Sequence, residues 1–159
     1  DWSSDVCSSD LAMSLKFSQG FYKLKNPEKY VGLGQPRYRS SWEWHVMKMC
    51  DENPAIQNWA SESVKIPYRD PLTGKATVYV PDFLVVYVNN NKKKCAELWE
   101  VKPVKQTLLE KVGKNKYNQA QYVKNMVKWS AARNWCKQHG LQFRIITEHD
   151  LYHNVGKKK

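Results

Sequence analysis

The sequence has few acids, few histidines and few cysteines, and it has no long apolar run. Its 159 residues carry 15 acids against 26 bases, which excludes an acidic, self-solvating chain and favours a polyanionic partner. The four histidines, His45, His139, His149 and His153, stand at no metal-ligand spacing, so an HNH or zinc-hydrolase reading fails. Cys7, Cys50, Cys95 and Cys136 form no Cys-x-x-Cys pair. That argues against a disulfide framework or a zinc site and for a reducing compartment. No stretch approaches the roughly 18 apolar residues of a membrane span, so no membrane partner is expected.

What is present is aromatic bulk and positive charge. Seven Trp, nine Tyr and four Phe supply core volume and surfaces for base stacking. The length is that of one domain, able to bury roughly two thirds of its unfolded surface. Residues 1–12 hold three acids and no base and read as a non-native leader, with Met13 as the natural start. The remaining 147 residues carry 26 bases against 12 acids, a net charge of +14. Such a charge suits nucleic acid, although ribosome or membrane-surface binding fits bare charge equally well.

Residues 13–38 are basic and broken by Gly20, Pro27, Gly32, Gly34 and Pro36, which suits an extended arm. Phe17, Phe21, Tyr22, Tyr30 and Tyr38 could tack this arm to a core, and Lys16, Lys23, Lys25 and Lys29 could follow a nucleic-acid backbone. A helix is expected from Ser40-Ser41-Trp42-Glu43 to about Glu52, with Glu43 on the face of Val46, Met47 and Cys50. Ser40 followed three residues later by Glu43 also matches a capping box, so Glu43 is either a cap or an acid aimed at a site.

Trp59 to Pro67 reads as a first strand carrying Glu62, and a turn at Arg69-Asp70-Pro71-Leu72-Thr73-Gly74 follows it. Ala76 to Val88 and Cys95 to Val101 read as two further strands forming a hairpin. Placing Asp82 opposite Glu100 puts Val88 opposite Lys94 and leaves Asn89 to Lys93 as a five-residue loop. Period two then sets Val80, Asp82, Leu84 and Val86 on one face, and Ala96, Leu98, Glu100 and Lys102 on one face of the partner. The segment from Pro103 to Gly113 reads as irregular and basic. A long helix follows from about Lys116 to His139, ended by Gly140, and a last strand covers Phe143 to Thr147. The order helix, three strands, helix, strand predicts a mixed α/β sandwich with an antiparallel hairpin at its centre.

Two facing carboxylates on buried strands repel unless a cation lies between them. Mg²⁺ takes oxygen ligands and is satisfied by one or two carboxylates plus a substrate phosphate. Lys102, about 7 Å along the same face from Glu100, could orient or deprotonate an attacking water or neutralise charge on the phosphate. The competing reading is a structural ion pair among Asp82, Glu100 and Lys102. DNA contacts are expected from Lys105, Lys111, Lys114 and Lys116 after the Glu100 strand and from Lys124, Lys128 and Arg133 on the long helix. Residues 153–159, ending in Lys157-Lys158-Lys159, read as a basic tail.

An acid on the first helix, Pro81-Asp82 on one strand and Glu100-Val101-Lys102 on the next resemble the PD-(D/E)XK nuclease superfamily. Tyr38-Arg39-Ser40-Ser41-Trp42-Glu43, Ile66-Pro67-Tyr68, Tyr79-Val80-Pro81-Asp82-Phe83 and Trp99-Glu100-Val101-Lys102-Pro103 together resemble its TnsA-type endonuclease branch. With the Lys25-Asn26-Pro27-Glu28-Lys29-Tyr30 arm before the helix, residues 16–152 are similar to the head completion nucleases of T-even-like tailed phages.

The resemblance implies a restriction-endonuclease-like α-β-β-β-α-β core over residues 39–152, with a central mixed sheet flanked by helices. It implies a Mg²⁺ or Mn²⁺ site at Asp82, Glu100 and the Val101 carbonyl, with Glu43 nearby and Lys102 beside the nucleophilic water. It also implies hydrolysis of DNA during head completion, phage head or portal and neck proteins as partners, and the infected host cytoplasm or the virion as location. A catalytic subunit of a transposition complex and a nonenzymatic DNA-binding head component are the alternatives. The Gln-x-x-x-Tyr of some exonuclease branches is not matched, because Tyr122 follows Asn118 at that spacing and Gln119 and Gln121 are out of register.

Overall fold

A serine at the end of an extended run starts the first helix. In the computed structural model, which describes residues 19–151, Ser40 has β-region dihedrals and its hydroxyl accepts from the Glu43 amide at 3.2 Å, capping helix α1 (Ser41–Glu52). The arm before it is short irregular chain with a two-residue ladder, β1 (Gly20–Phe21) against β2 (Arg37–Tyr38), and a single helical turn at Pro27–Lys29. Asp51, fully buried at the end of α1, fixes this arm. Its carboxylate accepts from the Tyr22 hydroxyl (3.0 Å) and from the amides of Lys25 (2.8 Å) and Asn26 (3.0 Å). Tyr22 and Tyr30 pack edge-on against Trp59, as expected of arm aromatics, whereas Phe21 is exposed. Lys25 pairs with Glu52 at 2.7 Å, and Lys29 donates to the Asp51 and Asn53 carbonyls, so these two lysines tether the arm. Residues 1–18 and 152–159, with Lys16, Phe17, His153 and the basic tail, lie outside the described residues.

The predicted first strand is two strands. β3 (Ile56–Ser61) and β4 (Ile66–Arg69) are separated at Glu62, whose φ is 50°. The apolar run after the turn divides likewise into β5 (Ala76–Tyr79) and β6 (Phe83–Val88). β3 pairs with β6 and β4 with β5, each antiparallel. Between the last pairs, Ser61 with Phe83 and Ile66 with Tyr79, residues 62–65 on one chain face only 80–82 on the other. An unequal count is the geometry of a bulge, and Pro81, without an N–H, cannot continue a ladder. Asp82 therefore sits at the joint where the hairpin passes from one sheet to another.

β6 pairs with β7 (Lys94–Val101) in the predicted register, from Val88 opposite Lys94 to Phe83 opposite Trp99. Two short helical turns, Val104–Gln106 and α2 (Leu109–Val112), occupy the segment expected to be irregular. Helix α3 (Lys116–His139) then crosses back, capped by the Asn115 side chain and closed by Gly140 in the left-handed conformation. It delivers β8 (Gln142–Ile146) parallel to β7, so the sheet order is β3-β6-β7-β8.

Alternation divides the core between the two faces. Val46, Met47, Cys50, Trp59, Phe83, Val85 and Trp99 pack together on the α1 side. Ile66, Tyr79, Leu98, Trp129, Ala132 and Cys136 pack on the α3 side, joined by Leu84. The result is the mixed α/β architecture of a restriction-endonuclease-like domain, with the β6–β7 hairpin at the sheet's centre. Cys50, Cys95 and Cys136 are free thiols, and no helix among the described residues is long and apolar enough to cross a membrane.

Candidate active site

The register that pairs Phe83 with Trp99 brings Asp82 to the end of β7. There Asp82 Oδ2 accepts from the Val101 amide at 2.7 Å, a contact that locks the joint of the hairpin to the strand bearing Glu100. Glu100 is 8% exposed. Its Oε2 accepts from the Tyr79 hydroxyl at 2.7 Å, and its Oε1 lies 3.9 Å from Lys102 Nζ. Lys102 is fixed in turn, because its amide donates to the Ile146 carbonyl of β8 at 2.9 Å. Two strands and the hairpin joint thus hold Asp82, Glu100 and Lys102 without help from any mobile loop.

Glu43 arrives from α1 and is also 8% exposed. Its Oε2 accepts from the Arg39 amide (2.8 Å) and the Ser40 hydroxyl (3.2 Å), so it reaches back one residue beyond the amide of an ordinary capping box. Among the described residues its Oε1 accepts no hydrogen bond. Cap and site acid are therefore roles of two different oxygens.

The three carboxyls repel one another. Burial pushes Asp82 well above the usual carboxylate range, the Glu100 and Glu43 charges push it further, and only the Val101 amide and Lys102 oppose this. Burial likewise raises Glu100, against the Tyr79 hydroxyl, Lys102 and Lys128, and the Glu43 charge adds to the rise. Burial raises Glu43 against the Arg39 amide and the Ser40 hydroxyl. A cluster of partly or fully buried acids, each destabilised by its neighbours, is the electrostatic setting that a bound cation relieves. Among the described residues no three His, Cys, Asp or Glu side chains gather closely enough to form an ion cage by themselves. The groups that could hold an ion here, Asp82, Glu100 and the Val101 carbonyl with Glu43 nearby, offer oxygen only. Such a set fits a hard cation that keeps most of its waters.

Beside the carboxylates opens a cleft of about 430 Å³ between α2 and the first half of α3. Of the lysines expected to meet DNA, Lys105, Lys111 and Lys128 line it together with Lys102. Lys128 Nζ lies 5.6 Å over the Tyr79 ring, and burial together with the Lys124 charge pushes its ammonium down. The structure does not bring the others there. Lys114 and Lys116 are exposed outside the cleft, Lys124 pairs with Asp70 at 3.4 Å, and Arg133 lies over the Phe143 ring.

The sequence is similar to those of known proteins. Residues 53–148 match the family model described as "TnsA-like endonuclease N terminal". The chain is also 32% identical, over 139 residues, to the head completion nuclease of Enterobacteria phage T4, an alignment that covers 80% of this chain and 89% of the phage protein.

The chain belongs to the TnsA-like endonuclease family.

The TnsA-like segment contains Asp82, Glu100, Val101 and Lys102 but begins after α1, so Glu43 lies outside it. Sequence reasoning did not find Tyr79, which reaches Glu100 from a separate two-stranded sheet, or Asn125, buried on the wall of the cleft. The only signal for Tyr79 was its position three residues before Asp82. Asn125 falls on one helical stripe with Gln121 and Lys128, at steps of four and three residues. Glu97, 2% exposed, is a buried acid of another kind. It faces the α1 side and is satisfied by the Tyr87 hydroxyl, the Trp99 indole (2.8 Å) and Arg144 (3.3 Å).

Proposed function

We propose that this TnsA-like chain is a divalent-metal-dependent DNA endonuclease that hydrolyses phosphodiester bonds, cutting or trimming packaged DNA during phage head completion. The observation that supports it is Asp82 and Glu100 held together at the end of β7 by the Val101 amide and the Tyr79 hydroxyl, with Lys102 alongside. Asp82, Glu100 and the Val101 carbonyl would hold Mg²⁺ or Mn²⁺, with Glu43 as a further oxygen donor. That ion supplies Lewis-acid polarisation of the phosphate and a better nucleophile from water.

The chain's own groups do the rest. Asp82 and Glu100 present their remaining oxygens in a fixed geometry, because one oxygen of each is already occupied. Lys102 orients the attacking water and neutralises charge that grows on the phosphate as the bond breaks. The cleft lysines hold the DNA backbone in line with that water. Similarity to a phage head completion nuclease over 80% of this chain favours head completion over transposition. DNA is then the substrate, phage head or portal and neck proteins are partners, and the infected host cytoplasm or the virion is the location.

Plasmid nicking tests the reading. With Mg²⁺ or Mn²⁺ the purified chain is expected to nick supercoiled DNA, and Asp82→Ala and Lys102→Ala are each expected to lose at least about 100-fold in rate while retaining the wild-type circular dichroism. Unchanged cleavage in both variants would overturn it.

A further inference from the structure

Asn125 is 8% exposed, lies on the wall of the cleft, and makes no hydrogen bond through its side chain among the described residues. A carboxamide has two donor hydrogens and an acceptor oxygen, and on a cleft wall these are available to a ligand with a matching polar edge. One turn before it, Gln121 lines the same wall. Two turns before it, at the rim, Tyr117 is 70% exposed and packs on nothing in the core. Tyr122 completes an aromatic and amide stripe down α3, opposite Lys105 and Lys111, with the Glu100–Lys102 strand end at the cleft's inner side.

The three chemistries have one common ligand. Carboxamides read the paired donor and acceptor of a base edge, tyrosine rings stack on its face, and lysines take its phosphate. A base paired and stacked in a duplex offers neither its Watson–Crick edge nor its face for tyrosine stacking, and a cleft of about 430 Å³ has the scale of a single small ligand and not of a double helix. We propose that this cleft receives one unpaired nucleotide of the DNA substrate, adjacent to the bond that is cut. The chain therefore selects DNA that is frayed, overhanging or flapped at that point, since unpairing a base inside intact duplex costs a few kcal/mol. This rests on the nuclease reading of the adjoining carboxylates for its biological meaning, but binding alone tests it.

The test is fluorescence anisotropy of the purified chain in EDTA, where nothing turns over, with a labelled blunt duplex and the same duplex bearing a single-stranded overhang. The overhang is expected to bind about tenfold more tightly, the value of one stacked and hydrogen-bonded base. Tyr117→Ala and Asn125→Ala are each expected to erase most of that preference while changing blunt-duplex affinity by no more than about twofold, because that affinity rests on the lysines. Tyr117 is too exposed to support the fold, so its variant decides the matter even if Asn125→Ala does not fold. Equal affinity for both DNAs, or a preference unaltered by Tyr117→Ala, overturns the proposal. A failure of plasmid nicking would instead refute the nuclease reading and leave the overhang preference to stand or fall separately.

Discussion

At the scale of single residues the site is defined by charge that the fold holds at a cost. Asp82, Glu100 and Glu43 all have their protonation raised above the ordinary values of 3.8 and 4.5, first by burial. A carboxyl raised in the folded state contributes stability that is fully present below its unfolded value and is lost as pH climbs through the raised value. Metal-free protein is therefore expected to melt at progressively lower temperature as the pH rises above the ordinary carboxylate values of 3.8 and 4.5. Asp82→Asn should flatten that slope, and saturating Mg²⁺ should restore the loss at neutral pH; scanning fluorimetry across the range checks both. Tyr79 acts through Glu100, since among the described residues its hydroxyl is the one hydrogen-bond donor to that carboxylate, with Lys102 farther off at 3.9 Å. Tyr79→Phe is expected to cost about 1–2 kcal/mol in urea unfolding and to raise the Mg²⁺ concentration needed for half-maximal nicking, with less effect on the rate at saturation. The gathering of Asp82, Glu100 and Lys102 at one strand end was legible because strand alternation and hairpin register are local rules. Tyr79 and Asn125 were not, because only tertiary packing brings β5 to Glu100 and the stripe of α3 to the cleft.

At the scale of elements, α1, α3 and the β6–β7 register followed from Ser40, Gly140 and the five-residue loop, each a local signal with a definite geometry. The divided hairpin did not. Apolar alternation runs on through Val64 and Ile66 and through Val78 and Val80, so nothing in periodicity marks the point where one sheet gives way to another. Pro81 is the mark in retrospect. The sequence pattern also hid the role of Asp51, whose three donors all come from residues 22–26 of the arm. Asp51→Ala strands the buried Tyr22 hydroxyl and leaves two part-buried amides without their acceptor, and is expected to cost about 2 kcal/mol. Urea unfolding would measure it, and limited proteolysis should then cut first within residues 19–38.

At the scale of the whole molecule, positive charge is abundant but only part of it faces the cleft. Lys102, Lys105, Lys111 and Lys128 line it, whereas Lys25, Lys29, Lys124 and Arg133 are engaged by the protein itself. Net charge thus announced a polyanion without locating it. The double variant Lys105→Ala/Lys111→Ala is expected to lower the slope of log affinity against log salt by about 2 on duplex DNA. Lys124→Ala should leave that slope nearly unchanged, and titrations at several salt concentrations compare the two. The parallel pairing of β7 with β8 has a consequence of timing. The strand bearing Glu100 is braced on one side by β6, made earlier, and on the other by β8, which is made only after the whole of α3. A nascent chain that has not yet released β8 lacks that brace, so the end of β7 that carries Glu100 and Lys102 reaches its final form only after α3 and β8 have been made.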